Sequence, residues 1–366
     1  MPTLRLIADD LTGTLDTAAG LTGLCGTIPV AWPEILPDRA SGSLAIDSGT
    51  RERGEQEAVR ITRGLLPHLD GADIAFKKLD SLMRGPWATE LAATVQAGGW
   101  RRCIVAPAFP YQGRATVEGR QQMRRGEDWV PVSTDIVRIL SEAGLPARRA
   151  AVADGPVEGV AVYDARTDKD LAAIAALPAD GSVLWCGSGG LAAALAGRTK
   201  PPGEGRLEGP VLGLFGSDRA ETEAQLAACG PLRLVLTHGT PRRDLIIDRL
   251  SRDGAVMVSL DLSPGTARRA AAGQIAEAYA RLIDELPRPG SLLVAGGETL
   301  KALCLALSVE CLDVTGQIAP GLPRSTLRGG RWDGLPVVSK SGAFGASAIW
   351  RDLLSQNGFP HDRSGT

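Results

Sequence analysis

Leu4-Arg5-Leu6-Ile7-Ala8-Asp9-Asp10-Leu11-Thr12-Gly13 is an apolar run that ends on two carboxylates and a Thr-Gly turn, and the stretch Thr14–Leu24 beyond it has helical character. A short strand, a polar strand end and a helix make one α/β step. The step recurs. Ser43–Ile46 is predicted as a strand before a helix at Glu52–Leu69, and Ile74–Lys77 as a strand before a helix at Pro86–Gln96. Further strands are predicted at Arg102–Ala106, Val160–Tyr163 and Val183–Trp185. Alternation of this kind specifies an α/β fold whose sheet is mainly parallel.

Residues 198–210 interrupt the pattern with Pro, Gly and charge and read as a linker. A second α/β series follows. Its strands are predicted at Val211–Phe215, Arg233–Leu236, Val256–Leu260, Ser291–Ala295 and Val337–Val338. Its helices are predicted at Arg219–Ala228, Pro241–Asp253, Thr266–Glu285 and Leu300–Leu307. A chain of 366 residues is long enough for two domains at ~100–200 residues each, and the expected division is 1–200 and 208–366.

The balance of 44% hydrophobic and 22% charged residues is that of an ordinary globular protein. Aromatics are only 4%, so the core must rest on Leu, Val, Ile and Ala. A net charge of −2 gives no general attraction to nucleic acid. Cys25, Cys103, Cys186, Cys229, Cys304 and Cys311 lie in apolar segments with no C-x-x-C spacing, as expected of buried free thiols. His68, His238 and His361 are far apart, so no zinc site is legible. No run approaches the ~20 apolar residues of a membrane span, and no signal-peptide pattern is read, so a cytoplasmic protein is expected.

In open α/β sheets ligands bind beyond the carboxyl ends of the strands. Four polar clusters occupy such positions. Asp9 and Asp10 can bond ligand hydroxyls, and one of them can take a proton; a single aspartate would suffice for a helix cap. In Asp47-Ser48-Gly49-Thr50-Arg51, Arg51 can clamp a carboxylate or stand solvated beside a cap. Lys77-Lys78-Leu79-Asp80-Ser81-Leu82-Met83-Arg84 packs mixed charge ahead of a helix and can neutralise an anion. The loop Pro107–Arg114 is stiffened by two prolines and is otherwise unremarkable.

The second half is glycine-rich at its own strand ends: Gly216-Ser217-Asp218, Gly296-Gly297-Glu298-Thr299 and Lys340-Ser341-Gly342-Ala343-Phe344-Gly345. Glycines admit phosphates close to the backbone, and helix N-termini attract their charge. None of these loops is a P-loop or a dinucleotide fingerprint. Three of them in one small domain point to a nucleotide or another phosphate.

These segments, in order from residue 7 to 345, resemble the four-carbon acid sugar kinases. The matching stretches are IADDLTGTLDTAA from Ile7, KKLDSLMRG from Lys77, VAPAFPYQGRATVEG from Val105, CGSGGLA from Cys186, AGGETLKAL from Ala295 and VSKSGAFG from Val338. The chain departs from the family's pattern at Arg120-Gln121, where Gly-His is common, and at Gly13-Thr14-Leu15-Asp16, where GATD is usual. The resemblance implies an N-terminal acid-sugar domain, a C-terminal nucleotide domain and an active site in the cleft between them. It implies a substrate site of Asp9, Asp10, Arg51, Lys78, Asp80 and Arg84, with Asp9 or Asp10 catalytic. It implies a nucleotide site of Ser217, Gly296, Gly297, Glu298, Thr299 and Gly342. The expected reaction is transfer of the ATP γ-phosphoryl group, with Mg²⁺, to a hydroxyl of a small sugar acid. The expected partners are that acid and ATP, in a homodimer. Two other readings stay open at this point: a non-catalytic sugar-acid sensor, and another phosphate-handling α/β enzyme such as an aldolase.

Overall fold

In a computed structural model the chain divides into two compact units, Met1–Pro201 and Pro202–Thr366. The structure describes residues 1–36, 42–179, 182–216, 219–237, 242–261 and 268–359.

The first unit begins with β1 (Leu4–Ala8), α1 (Leu11–Cys25), β2 (Ile28–Ala31), β3 (Leu44–Asp47) and α2 (Glu55–Leu65). It continues with β4 (Ile74–Lys78), α3 (Trp87–Ala97) and β5 (Arg102–Ala106). Three antiparallel strands follow, β6 (Arg114–Val117), β7 (Arg120–Arg125) and β8 (Asp128–Asp135), which form a small sheet of their own. The unit closes with α4 (Ile136–Glu142), β9 (Ala147–Ala150), β10 (Gly159–Tyr163), α5 (Asp168–Ala175), β11 (Val183–Gly187) and α6 (Gly189–Ala196). Its main sheet runs β2-β3-β1-β4-β11-β5-β10-β9, and every pairing in it is parallel. β1 has β3 on one side and β4 on the other, so Asp9 and Asp10 leave the sheet where its connections diverge, the place open α/β sheets reserve for ligands. Ile7, Ile46, Val105 and Leu184 of the strands pack with Leu91 of α3 and Leu140 of α4 in one buried cluster. Strands covered in this way read as unbroken apolar runs.

The second unit comprises β12 (Val211–Phe215), α7 (Ala220–Ala227), β13 (Arg233–Thr237), α8 (Arg243–Asp253), β14 (Ala255–Asp261), α9 (Arg268–Glu285) and β15 (Ser291–Ala295). Then come α10 (Gly297–Ala306), β16 (Cys311–Ala319), β17 (Leu322–Arg328), β18 (Pro336–Lys340) and α11 (Ile349–Gln356). Strands β13-β14-β12-β15-β18 are parallel, and β17 and β16 continue the order antiparallel. Phe215, Met257, Leu293 and Val338 bury against Trp350, Leu353 and Leu354 of α11, with the Phe215 and Trp350 rings edge to face at 5.6 Å. Here too the order turns at the first strand: β12 lies between β14 and β15. Gly216 and Gly296 therefore leave neighbouring strands at the turning point.

The parallel strands begin and end close to their sequence-predicted limits, and the predicted α/β class with mainly parallel sheets is the class observed. The sequence reading lacks β2, β9, β16, β17 and the β6–β8 sheet. The helix predicted at Glu52–Leu69 is shorter, because Pro67 converts its end to a 3₁₀ turn over Leu66–Leu69. All six cysteines are free, and five are buried. No helix among the described residues is long and apolar enough to cross a membrane.

Candidate active site

Strand register sets the first site. Ala8 pairs with Asp47 across β1 and β3, while Cys186 pairs with Lys77 and Gly187 with both Lys78 and Ala106. The carboxyl ends of β1, β3, β4, β11 and β5 are thereby level, and their loops meet above one edge. The backbone amide of Ser48 donates to Ala8 O at 2.8 Å, and that of Arg51 to Asp9 O at 3.2 Å, so the β3 loop lies along the Asp-Asp turn. Gly85, at φ +74°, lets the β4 loop approach: a Cβ there would stand 2.9 Å from Arg51 O.

These loops concentrate an ion network. Arg51 donates Nε and Nη2 to the two oxygens of Asp9 at 2.8 and 2.7 Å. Its Nη1 lies 2.6 Å from Asp10 Oδ2 and its Nη2 3.3 Å from Asp80 Oδ2. Arg84 holds Asp80 in turn through Nε at 3.1 Å and Nη2 at 2.5 Å. Burial opposes the charge of Arg51, but Asp10, Asp9 and Asp80 overcome it and hold its pKa above the ordinary value. Burial alone would raise the Asp80 carboxyl, yet its bond from Arg84 and the charges of Arg51, Arg84 and Lys78 hold it well below the usual carboxylate range. The bond to Asp80 likewise raises Arg84, against burial.

Asp10 has a second task. It caps α1, accepting from Gly13 N at 3.0 Å on Oδ1 and from Thr12 Oγ1 at 2.7 Å on Oδ2. Its side chain is 22% exposed against 6% for that of Asp9, so of the two it is the one that can meet a ligand. Lys78, buried, donates to Leu79 O at 2.9 Å; a Cβ at Gly13 would stand 3.2 Å from its Nζ and 2.5 Å from Asp10 Oδ1. The space over Gly13 is thus enclosed by Asp10 and Lys78. Asp9, Asp10, Arg51, Lys78, Asp80 and Arg84 are brought together as a group. Lys77 points away, into a buried pair with Glu90 at 2.5 Å.

Gln121 of β7 stands out in the sequence only as a departure from the family pattern, with no role attached to it. Fully buried, it donates Nε2 to Ser81 O at 2.8 Å and to Pro107 O at 3.2 Å, and accepts from Thr116 Oγ1 at 2.7 Å. It ties the loop carrying Asp80 and Arg84 to the end of β5. It stands at one of the two positions where the sequence departs from the family pattern.

In the second unit, Phe215 pairs with Ala295 and Ala295 with Lys340, so the three glycine loops begin level. A Cβ on Gly216 would collide with Thr299 Oγ1 and Ile275. Gly296 caps α10 at φ +109°, a conformation closed to other residues. Gly297, Glu298 and Thr299 form the first turn of that helix, whose leading amides have no intrahelical acceptor. Lys340 is buried and donates to the carbonyls of Ser341 at 2.9 Å and Gly342 at 3.2 Å; burial pushes its pKa down to about 8, against a smaller pull from Glu221. The Lys340–Gly345 loop is pinned by two residues of α7 that the sequence reading missed. Thr222 donates to Gly342 O at 2.8 Å, and Gln225 donates to the carbonyls of Phe344 and Gly345, each at 2.9 Å. Ser217 lies outside the described residues.

Two family models match the chain. Residues 4–195 match the family of sugar-binding N-terminal domains, and residues 212–349 the family of nucleotide-binding C-terminal domains. The chain therefore matches both models, one after the other. It belongs to the four-carbon acid sugar kinase family. A D-threonate kinase of Cupriavidus necator is 33% identical over 94% of this chain and 96% of that protein. A 3-oxo-tetronate kinase of Pseudomonas fluorescens is 27% identical over 97% of each. A solved Haemophilus influenzae structure, 20% identical, shares the fold with a TM-score of 0.71 over 96% of this chain and 99% of that one.

Proposed function

We propose that this protein is an ATP-dependent kinase that phosphorylates a hydroxyl of a four-carbon sugar acid, of the threonate, erythronate or 3-oxo-tetronate type. The observation that carries the reading is the cluster at the ends of β1, β3 and β4, in which a partly exposed aspartate, Asp10, is fixed against Gly13, whose missing Cβ leaves room for it and for the Lys78 ammonium. A carboxylate so placed orients an acceptor hydroxyl and takes its proton, while a neighbouring ammonium offsets the charge of an incoming phosphoryl group. Asp9, Arg51, Asp80 and Arg84 complete the proposed substrate site. Asp9, gripped on both oxygens by Arg51, serves to hold the turn.

The nucleotide is assigned to the second unit, with its phosphates against Gly296, Gly297, Glu298 and Thr299 and with Gly342 beside them. The fit rests on the leading amides of α10 and on the buried Lys340 ammonium. Ser217 is included by its place in the sequence. Among the described residues no three His, Cys, Asp or Glu side chains gather as a metal cage. Mg²⁺ is assigned to the nucleotide's phosphates, where it would neutralise charge on the transferred group. Six free cysteines suit a reducing, cytoplasmic setting.

Asp10→Asn tests the assignment. The amide keeps a cap oxygen but cannot take a proton, and acid-dependent ATP consumption should fall by about 10²-fold or more. Turnover near the wild-type rate would remove Asp10 from the chemistry.

A further inference from the structure

An arginine grips a carboxylate most strongly with the edge formed by Nε and Nη2, which meets both oxygens at once. Two arginines of the first site have already spent that edge on the protein. Arg51 uses it on Asp9, and Arg84 uses it on Asp80. Arg114 has not. Its Nη1 donates to Gln112 O at 2.6 Å and Gly113 O at 3.2 Å, which fixes the guanidinium from the other side. Its Nε is buried with no hydrogen-bond partner, and among the described residues its Nη2 has none either. An unsatisfied buried donor is destabilising and calls for an acceptor.

The place of Arg114 follows from the small sheet. Arg114 and Thr116 share one face of β6, since they are two residues apart. Thr116 pairs with Gln121, whose side chain reaches from that face to Ser81 O, in the loop that carries Asp80 and Arg84. Burial lowers the Arg114 pKa, and Asp80, opposed by Arg84, acts on its charge without forming an ion pair with it. Asp9, Asp10 and Asp80 stand against Arg51, Lys78, Arg84 and Arg114. These seven groups leave one positive charge over, enough for one carboxylate.

The geometry points to Arg114 as the residue that receives the carboxylate of the sugar acid, on Nε and Nη2, and so sets the preference for acids over neutral polyols. Arg51 and Arg84 position the aspartates. This assignment rests on the kinase reading above and refines it.

The test compares wild type, Arg114→Met and Arg114→Lys in two measurements. Calorimetry without nucleotide reads binding of D-threonate and of the matching uncharged four-carbon alditol, and steady-state kinetics read KM for acid and for ATP. For Arg114→Met the Kd and KM for acid should rise about 10- to 100-fold, the range of a hydrogen bond to a charged group. KM for ATP should stay within about twofold, which also shows the variant to be folded, and acid should bind no better than alditol. Arg114→Lys, with the charge but not the fork, should recover part of the acid preference. If Arg114→Met keeps acid affinity within about threefold of wild type and still prefers acid to alditol, the assignment is overturned while the kinase reading stands. If the wild type neither binds nor phosphorylates any four-carbon acid, the kinase reading fails and this assignment fails with it.

Discussion

Arg51 meets Asp9 through two parallel hydrogen bonds, 2.8 and 2.7 Å long, from one edge of its guanidinium. The remaining nitrogen reaches Asp10, so one side chain from the β3 loop organises both aspartates of the β1 turn. Removing it leaves Asp9 and Asp10 without their main counter-charge and Asp80 with Arg84 alone. Arg51→Gln should lower stability by about 3 kcal/mol, at the lower end for a broken buried pair, and abolish acid turnover. Arg51→Lys should rescue little, because an ammonium cannot replace the fork. Thermal denaturation read beside activity checks both statements.

Asp80 gives the protein an acid limb. Its folded-state pKa is depressed below the unfolded value of about 3.9, so its contribution is fully present above that pH and is lost as pH falls toward the lower folded value. Stability should fall below about pH 4. Asp80→Asn should be less stable at pH 7 and should lose less than wild type between pH 5 and pH 3, roughly the window set by the unfolded pKa. Chemical denaturation at stepped pH measures this.

Lys340 predicts the opposite kind of profile for nucleotide binding. Its pKa of about 8 lies below the ordinary lysine value, so the free protein loses this charge as pH rises through 8. Phosphate binding needs the ammonium. ATP affinity should therefore weaken between pH 7 and 9, by up to about tenfold per unit above 8 for one linked proton. Lys340→Met should bind weakly at every pH with a flat profile. Calorimetry across that range decides it; a wild-type affinity independent of pH contradicts the assignment of Lys340 to phosphate.

The strand-end carboxylates and glycine loops were legible because they are local. An apolar run followed by Asp9-Asp10, or by Gly296-Gly297, announces a strand end within a few residues. The partnership of Arg51 with Asp9 spans 42 residues and depends on strand order, which no local pattern reports. Gln121 was legible only as a departure from the family pattern, and its role was hidden for a different reason. It lies on β7, a strand of Arg, Gln and Met with little apolar alternation, and its partners Ser81 and Pro107 are remote in sequence. Thr222 and Gln225 sit on the first two turns of an ordinary helix, and only the fold reveals that they hold the Lys340–Gly345 loop. The antiparallel pair β16 and β17 passed unread because Gly316, Pro323 and the polar run Arg324-Ser325-Thr326 break any clean apolar alternation in the sequence.

Gln121→Leu should expose what that hidden amide does. The change leaves the Ser81 and Pro107 carbonyls and the Thr116 hydroxyl unpaired in a buried place. A destabilisation of about 2–4 kcal/mol is expected from losses of about 1–3 kcal/mol per group, partly relieved by relaxation. KM for acid should rise while KM for ATP does not. Equal changes in both would mean a general loss of structure.

The Lys77–Glu90 pair is buried at 2.5 Å away from the substrate cluster and supplies a control. Lys77→Met alone should destabilise by about 3–5 kcal/mol through the unpaired carboxylate, and adding Glu90→Leu should restore much of it. Neither change should alter the choice between acid and alditol substrates in the variants that fold.

The central claim is most directly met by mass spectrometry of the product. Purified protein is incubated with Mg-ATP and, one at a time, D-threonate, D-erythronate, 3-oxo-tetronate and other C3 to C6 sugar acids. A phosphorylated four-carbon acid formed in step with ADP, and absent with the uncharged alditol, is the predicted result. ATP binding with no phosphorylated acid from any member of the panel would contradict it.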